Sequence, residues 1–324
     1  MDLKIGSVIN GFRVLRDGEV PLLNARYWKL QHEATGATLY YSDRDDGQMV
    51  FSVGFRTLPE DDTGVFHILE HSCLDGSKNY QLKEPFVNLL KTSMAVDLNA
   101  MTFEDKTIYY FISTNEQDYL NLMSVYMHAV FNPLLLTDRR IFEKEAWHLE
   151  PDGKGGVACS GVVFNEMKGA MSSVHRLANS GITNLMYPDN CYQYNSGGDP
   201  AVIPNLSYQQ FLETYQRCYH PTNARIFLDG NIPVEKTFAL LDEYLSRYEM
   251  GEKQFTASLD SGEMVQLSSY SRAVCRLMKQ EIDYDGAVAD LETAIAYSEE
   301  DTDPVITEQA QGLLDTILTQ SAGR

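Results

Sequence analysis

Residues 59–80 read PEDDTGVFHILEHSCLDGSKNY and contain His67, Glu70 and His71 in the order His-x-x-Glu-His. Apolar residues around the two histidines follow a helical spacing, and the acidic residues and threonine at 61–63 are candidate N-caps before them. On a helix, positions i, i+3 and i+4 share one face, so both imidazoles and the carboxylate project toward one point. The stretch therefore predicts a helix that presents two nitrogen ligands and one acid on the same side.

Two neutral imidazoles suit zinc, and a catalytic zinc also needs a third protein ligand and an open position for water. The order is the inverted form of the His-Glu-x-x-His zinc helix. Glu70, between the ligands, is then expected to be the general base that deprotonates a zinc-activated water. The alternative is a helix end at which His67 and His71 merely cap the helix or pair with Glu70.

The segments around the motif alternate between strand-like and helix-like patterns. Residues 37–43, 48–55 and 107–114 (ATLYYSD, QMVFSVGF and TIYYFIST) are rich in β-branched and aromatic residues and predict strands. Helical patterns occupy residues 85–94, 118–133, 139–150, 161–173, 208–219 and 234–249. Such clusters of strands and helices indicate an α+β layered domain over residues 1–250.

The last part of the sequence has a different character. Residues 281–303 contain many Asp and Glu and no Lys or Arg, and no strong strand pattern follows residue 250. We expect residues 251–324 to form a helix-rich acidic C-terminal segment, or else a truncated second domain.

The charge of the chain limits its partners. A formal net charge of −20 argues against nucleic-acid binding, which needs a basic surface to displace counterions. The acidity favours basic partners weakly, and solubility alone is the other explanation. No apolar stretch approaches the roughly 20 residues of a membrane-spanning helix, so no membrane partner is expected.

The five cysteines are scattered and form no Cys-x-x-Cys pair. This pattern predicts neither a disulfide framework nor a cysteine-type zinc site. Together with the lack of a secretory or transit signal at the start of the sequence, it favours the reducing cytoplasm.

The residues that follow the motif resemble a known family. GVFHILEHSCLDGSKNYQLKEPFVNLL at 64–90 and LNAMTFEDKTIYYF at 98–111 are similar to the pitrilysin/insulinase family of metallopeptidases, and within it to the presequence proteases. Further segments match in order and spacing, namely FEKEAWHLE at 142–150, GVVFNEMKGAMSS at 161–173 and the run from 189 to 236. The resemblance covers residues 1–250 and implies a mainly antiparallel sheet packed by helices, with one Zn²⁺ per chain.

The resemblance also assigns residues to the site. The family's third zinc ligand is a glutamate on a separate helix, and the matching position is Glu166 in VVFNEMKG. From the sequence alone, Glu166 could equally be a solvated glutamate paired with Lys168. Asn99, Ala100 and Met101 match the strand edge on which the family binds an extended substrate, although a plain buried strand end would explain them too.

The expected function is that of a zinc-dependent endopeptidase acting on short unfolded peptides, with basic ones favoured by the acidic chain. Relatives of this type consist of two homologous halves, and no segment here matches the second half. The alternative is therefore a non-catalytic or incomplete part that binds zinc and needs a partner chain or a second half for activity.

Overall fold

The computed structural model describes residues 3–81 and 85–251, together with the isolated positions 311 and 314. The chain divides into two units, Met1–Glu252 and Lys253–Arg324, and the fold below is that of the first. The helix-rich segment expected at 251–324 lies almost wholly outside the described residues, so it stays a prediction.

Most of the strands join one large sheet. The strands are β1 (Val8–Ile9), β2 (Phe12–Val20), β3 (Ala25–His32), β4 (Thr38–Asp43), β5 (Met49–Arg56), β6 (Ala95–Thr102), β7 (Lys106–Ser113), β8 (His148–Pro151), β9 (Val157–Ser160) and β10 (Ala224–Asp229). The sheet has the order β1-β2-β3-β4-β10-β5-β7-β6, and β8 and β9 form a separate hairpin. Its neighbouring strands are antiparallel except for the parallel pair β4 and β10. The predicted α+β class with a mainly antiparallel sheet is therefore confirmed.

Helices pack around this sheet. They are α1 (Val65–Leu74), α2 (Pro85–Thr92), α3 (Glu116–Phe131), α4 (Arg139–Glu145), α5 (Val162–Ala170), α6 (Val174–Met186), α7 (Tyr208–Cys218) and α8 (Val234–Leu245). In the part of the chain that is described, no helix combines the length and apolar character needed to cross a bilayer.

The sheet contributes buried side chains to the core. Alternate residues of β5, from Met49 to Phe55, are buried, as the two-residue period of a strand requires. In the half of the sheet far from β6, buried His32 of β3 hydrogen-bonds Asp242 of α8 at 2.9 Å and so fixes that helix to the sheet. Helix α1 packs against β6, β7, α3, α4, α5 and α7. The motif helix is thus held between the sheet and four other helices.

One sequence prediction is wrong in its extent. The helix expected over 139–150 ends at Glu145, and His148 lies on strand β8 with 41% of its side chain exposed. The glycine-rich turn explains the change, because Gly153 and Gly155 adopt positive φ values of 71° and 92° and allow β8 to pair with β9.

Candidate metal centre

At the N-terminus of α1, two backbone segments approach each other closely. Gly64 caps the helix in the left-handed region (φ 65°), and a Cβ there would lie 2.6 Å from the carbonyl oxygen of Gly197. The side-chain caps expected at residues 61–63 are therefore wrong. Asp62 instead accepts a hydrogen bond at 2.7 Å from the backbone N–H of Asn195. This contact fastens the loop around Gly197 against the first turn of the motif helix.

The two histidines of the motif are oriented by hydrogen bonds at Nδ1. Nδ1 of His67 lies 3.0 Å from the carbonyl oxygen of Gly197, and Nδ1 of His71 lies 3.2 Å from Oε2 of Glu145. A carbonyl oxygen can only accept, so Nδ1 of His67 carries the proton and Nε2 carries the lone pair. The Glu145 carboxylate favours the same tautomer for His71. Both Nε2 atoms are thereby prepared to bind a metal ion.

Glu166 reaches the histidines from α5. Its Oε1 lies 3.8 Å from Nε2 of His67, and its Oε2 lies 3.7 Å from Nε2 of His71. Two ligands bound about 2.1 Å from one zinc ion can be at most about 4.2 Å apart, so these separations permit a shared ion. Among the described residues, His67, His71 and Glu166 are the group of potential metal ligands whose atoms all lie within 4.8 Å of one another. Two imidazoles and a carboxylate fit zinc.

Glu70 stands beside this group without belonging to it. Its side chain is 8% exposed, and Oε2 accepts a hydrogen bond of 2.7 Å from the hydroxyl of Thr102 on β6. Glu70 also lines two cavities, of ≈ 680 Å³ and ≈ 450 Å³. The carboxylate is therefore held at one oxygen and faces open space in which a substrate and a water molecule could lie.

Glu145 is a site residue that the sequence prediction missed. It is buried on α4 and contacts both His71 and Lys144. Burial opposes its ionisation, but the hydrogen bonds from His71 and Lys144 hold its carboxyl pKa below the ordinary value. Burial also disfavours a charged imidazole, yet the Glu145 hydrogen bond and nearby carboxylates raise the pKa of His71. The sequence feature that could have identified Glu145 was its position within FEKEAWHLE, a segment that resembles the family.

Replacing Glu145 with Gln is expected to weaken zinc binding by about 10- to 100-fold, the usual effect of losing a partner that orients a metal-binding histidine. The neutral amide holds His71 less firmly in the tautomer that leaves Nε2 free. Competition with a chromophoric chelator measures the affinity. Glu143→Gln on the same helix is the control, because Glu143 pairs with Arg139 at the surface. Equal affinities for the two variants would contradict the orienting role.

The larger cavity extends from the candidate metal ligands along the edge of the sheet. Among the described residues β6 is the terminal strand of the sheet, so one row of its backbone donors and acceptors has no strand partner there. Asn99, Ala100 and Met101 lie on this strand and line the cavity with His67 and Glu70. The structure thus places the predicted substrate-binding residues next to the predicted ligands.

Two regions of the sequence match family models. The model described as Insulinase (Peptidase family M16) matches residues 47–151, and the one described as Peptidase M16 inactive domain matches residues 205–287. The chain belongs to peptidase family M16, the insulinase family. The second M16 match crosses the domain boundary expected near residue 250, which stays a prediction.

Curated M16 relatives align with most of this chain. Protein HypA of Clostridium perfringens is 44% identical over 254 residues, which are 78% of this chain and 26% of HypA. Presequence protease 1 of Arabidopsis thaliana is 41% identical over 240 residues, covering 74% of this chain and 22% of that protein. The mitochondrial presequence protease of Gibberella zeae is 35% identical over 329 residues, covering 99% of this chain and 32% of that protein. The chain therefore spans between a fifth and a third of the length of these relatives.

Solved M16 structures share the fold. Pitrilysin superposes with a TM-score of 0.58 at 16% identity, over 76% of this chain and 26% of pitrilysin. A putative M16-like peptidase from Alicyclobacillus acidocaldarius gives 0.54 at 19% identity, over 72% of this chain and 52% of that one. The resemblance inferred from the motifs is confirmed.

The names of these M16 relatives overturn the expected cytoplasmic location. The presequence proteases of Drosophila melanogaster and Saccharomyces cerevisiae are named mitochondrial, and that of Arabidopsis thaliana chloroplastic or mitochondrial. The expectation was wrong because free cysteines indicate a reducing environment without specifying which compartment provides it. The described cysteines, Cys73, Cys159, Cys191 and Cys218, are free.

Proposed function

We propose that this chain is the zinc-binding part of a metalloendopeptidase that cleaves short unfolded peptides. The observation that supports this most is the convergence of His67 Nε2, His71 Nε2 and the Glu166 carboxylate beside the buried Glu70. These three side chains would hold one Zn²⁺, with Glu70 left unligated. A zinc ion held there supplies a Lewis acid that polarises the scissile carbonyl and acidifies the attacking water.

Glu70 would move the proton. Its free oxygen accepts a proton from the attacking water, and the protonated carboxyl can then deliver that proton to the nitrogen of the leaving amine. Thr102 holds the other oxygen by its hydrogen bond, which keeps the carboxylate in position during both transfers. Gly197 and Glu145 hold the imidazoles of His67 and His71, so both histidines, like Glu70, have a second residue that orients them.

An extended peptide would bind along β6. The unpaired edge containing Asn99, Ala100 and Met101 can add a substrate strand through backbone hydrogen bonds, which give affinity without requiring a particular sequence. The net charge of −20 attracts basic peptides at long range, and we therefore propose them as the favoured substrates.

The second candidate is a zinc-binding part that cleaves poorly unless a second homologous half is present. The observation that favours it is the coverage of the relatives, of which this chain spans 22–32%. A second half would enclose the substrate and add groups that stabilise the transition state.

Zinc analysis combined with a quenched basic peptide separates the two candidates. We expect one zinc per chain and cleavage that is lost in a chelator and restored by added zinc. One bound zinc without cleavage would support the incomplete part. Absence of bound zinc, or cleavage that persists in the chelator, would overturn the assignment of the site.

A further inference from the structure

Helix α6 forms part of the wall of the larger cavity. Its lining residues recur at helical spacing and are mostly neutral and polar, namely Arg176, Asn179, Ser180, Thr183 and Asn184. Its apolar residues point elsewhere, and Val174, Leu177 and Leu185 are exposed. The polar face of this amphipathic helix is therefore turned toward the candidate site.

Arg176 is the single Lys or Arg among the described residues that line this cavity. Its side chain is exposed and forms no hydrogen bond or ion pair with any described residue. Helix α6 contains no Asp or Glu that could neutralise it. Glu104 lines the same cavity, but no ion pair within 4.0 Å joins it to Arg176. An unpaired guanidinium thus faces the space in which a peptide would lie.

The remaining acids of the cavity have other roles. Glu166 is a candidate metal ligand, and Glu70 is the candidate base. A guanidinium offers a planar fork of donors that matches a carboxylate, and Arg176 lines the same cavity as the strand edge that can hold an extended chain. The surrounding amides and hydroxyls of α6 can hydrogen-bond a peptide but cannot supply charge.

We propose that Arg176 binds a carboxylate of the substrate and so favours an acidic group at one position near the scissile bond. The inference rests on the proposed peptidase function and deepens it. The carboxylate could belong to an Asp or Glu side chain or to the C-terminus of a short peptide. The preference is local, and it acts on peptides that are basic elsewhere, because the net charge of −20 repels acidic chains as a whole.

Matched peptides test this proposal. A basic peptide with Glu or Gln placed successively at each position around the cleavage site, always C-terminally amidated, tests the side-chain carboxylate. A second pair without acidic residues, with a free or an amidated C-terminus, tests the terminal carboxylate. We measure kcat/KM with the zinc-loaded chain, and binding to its Glu70→Gln variant by fluorescence anisotropy.

We expect the carboxylate peptide of one pair to be preferred by about 5- to 10-fold, as for a charged hydrogen bond in a partly exposed site. The ratio should approach one in Arg176→Gln, persist in part in Arg176→Lys, fall below one in Arg176→Glu, and decrease with added salt. Arg16→Gln is the matched control, because Arg16 is an exposed arginine on β2, outside the cavity.

These measurements distinguish a failure of the Arg176 proposal from a failure of the proposed peptidase function. A ratio near one in every pair, an unchanged ratio in Arg176→Gln, or no binding of any peptide would overturn the role of Arg176. Loss of zinc, or chelator-insensitive cleavage, would instead overturn the metallopeptidase assignment. If the chain binds zinc and peptides without cleaving them, the anisotropy ratios alone decide the role of Arg176.

Discussion

Replacement of Glu70 by Gln is expected to lower kcat for peptide cleavage by about 100- to 10,000-fold, the range that a positioned general base contributes. An amide has nearly the shape of the carboxylate and can still accept the hydrogen bond from Thr102, but it cannot take a proton from water. The loss should appear in kcat rather than in KM, because the base acts in the transition state.

Zinc content and thermal stability should stay near those of the unmodified chain, since Glu70 lies outside the group of candidate ligands. Glu104→Gln is the matched control, because it removes one negative charge from the same cavity without touching the metal ligands. We expect less than about a threefold change for that variant, as for a solvent-screened charge. A Glu70→Gln variant that keeps more than a tenth of the activity would refute the role of Glu70 as the base.

The second large effect is expected at Glu166. Glu166→Gln removes the one anionic ligand of the proposed site, so we expect zinc affinity to fall by more than the ~100-fold that loss of an orienting partner can cause. Cleavage at limiting zinc should fall with it, and excess zinc should restore part of the activity. The measurement is zinc competition against a chelator, with cleavage followed over a zinc titration.

Glu150→Gln controls for the loss of charge. Glu150 and Glu166 each have 53% of the side chain exposed, and each has an oxygen 3.8 Å from Nε2 of a histidine, His148 and His67 respectively. Geometrically the two pairs are alike, but only Glu166 also approaches a second histidine. Similar zinc affinities for the two variants would show that Glu166 is a surface ion-pair partner and no ligand.

The sequence alone predicted the part of the site whose chemically suitable residues are closely spaced along the chain. His67, Glu70 and His71 lie within five residues, so the helical period alone places them on one face. Glu166 is 95 positions beyond His71, a distance over which no local rule applies, and its placement depended on the family resemblance. The strands were predictable for a similar local reason, because buried residues alternate along β5 as the two-residue period requires.

Other features could not be predicted because they depend on tertiary contacts. Glu145 is only one acid among several in its segment until α4 brings it 3.2 Å from Nδ1 of His71. Gly197 acts through its backbone carbonyl, so no side chain in the sequence indicates its role. Helix α6 was missed altogether, and none of its residues is buried. With it, the cavity-lining position of Arg176 was missed.

The position of β10 affects the order in which the chain can fold. This strand, at Ala224–Asp229, lies between β4 and β5, which are separated by a short connection in the sequence. During synthesis β4 and β5 are therefore made long before the strand that joins them, and both keep an open edge until more than 160 further residues have left the ribosome. Such long-range pairing slows folding and leaves strand edges exposed to other nascent chains. Because the sheet beneath α1 is complete only after β10 is added, a truncated product that ends before residue 224 would contain every candidate ligand and still lack the support that brings them together.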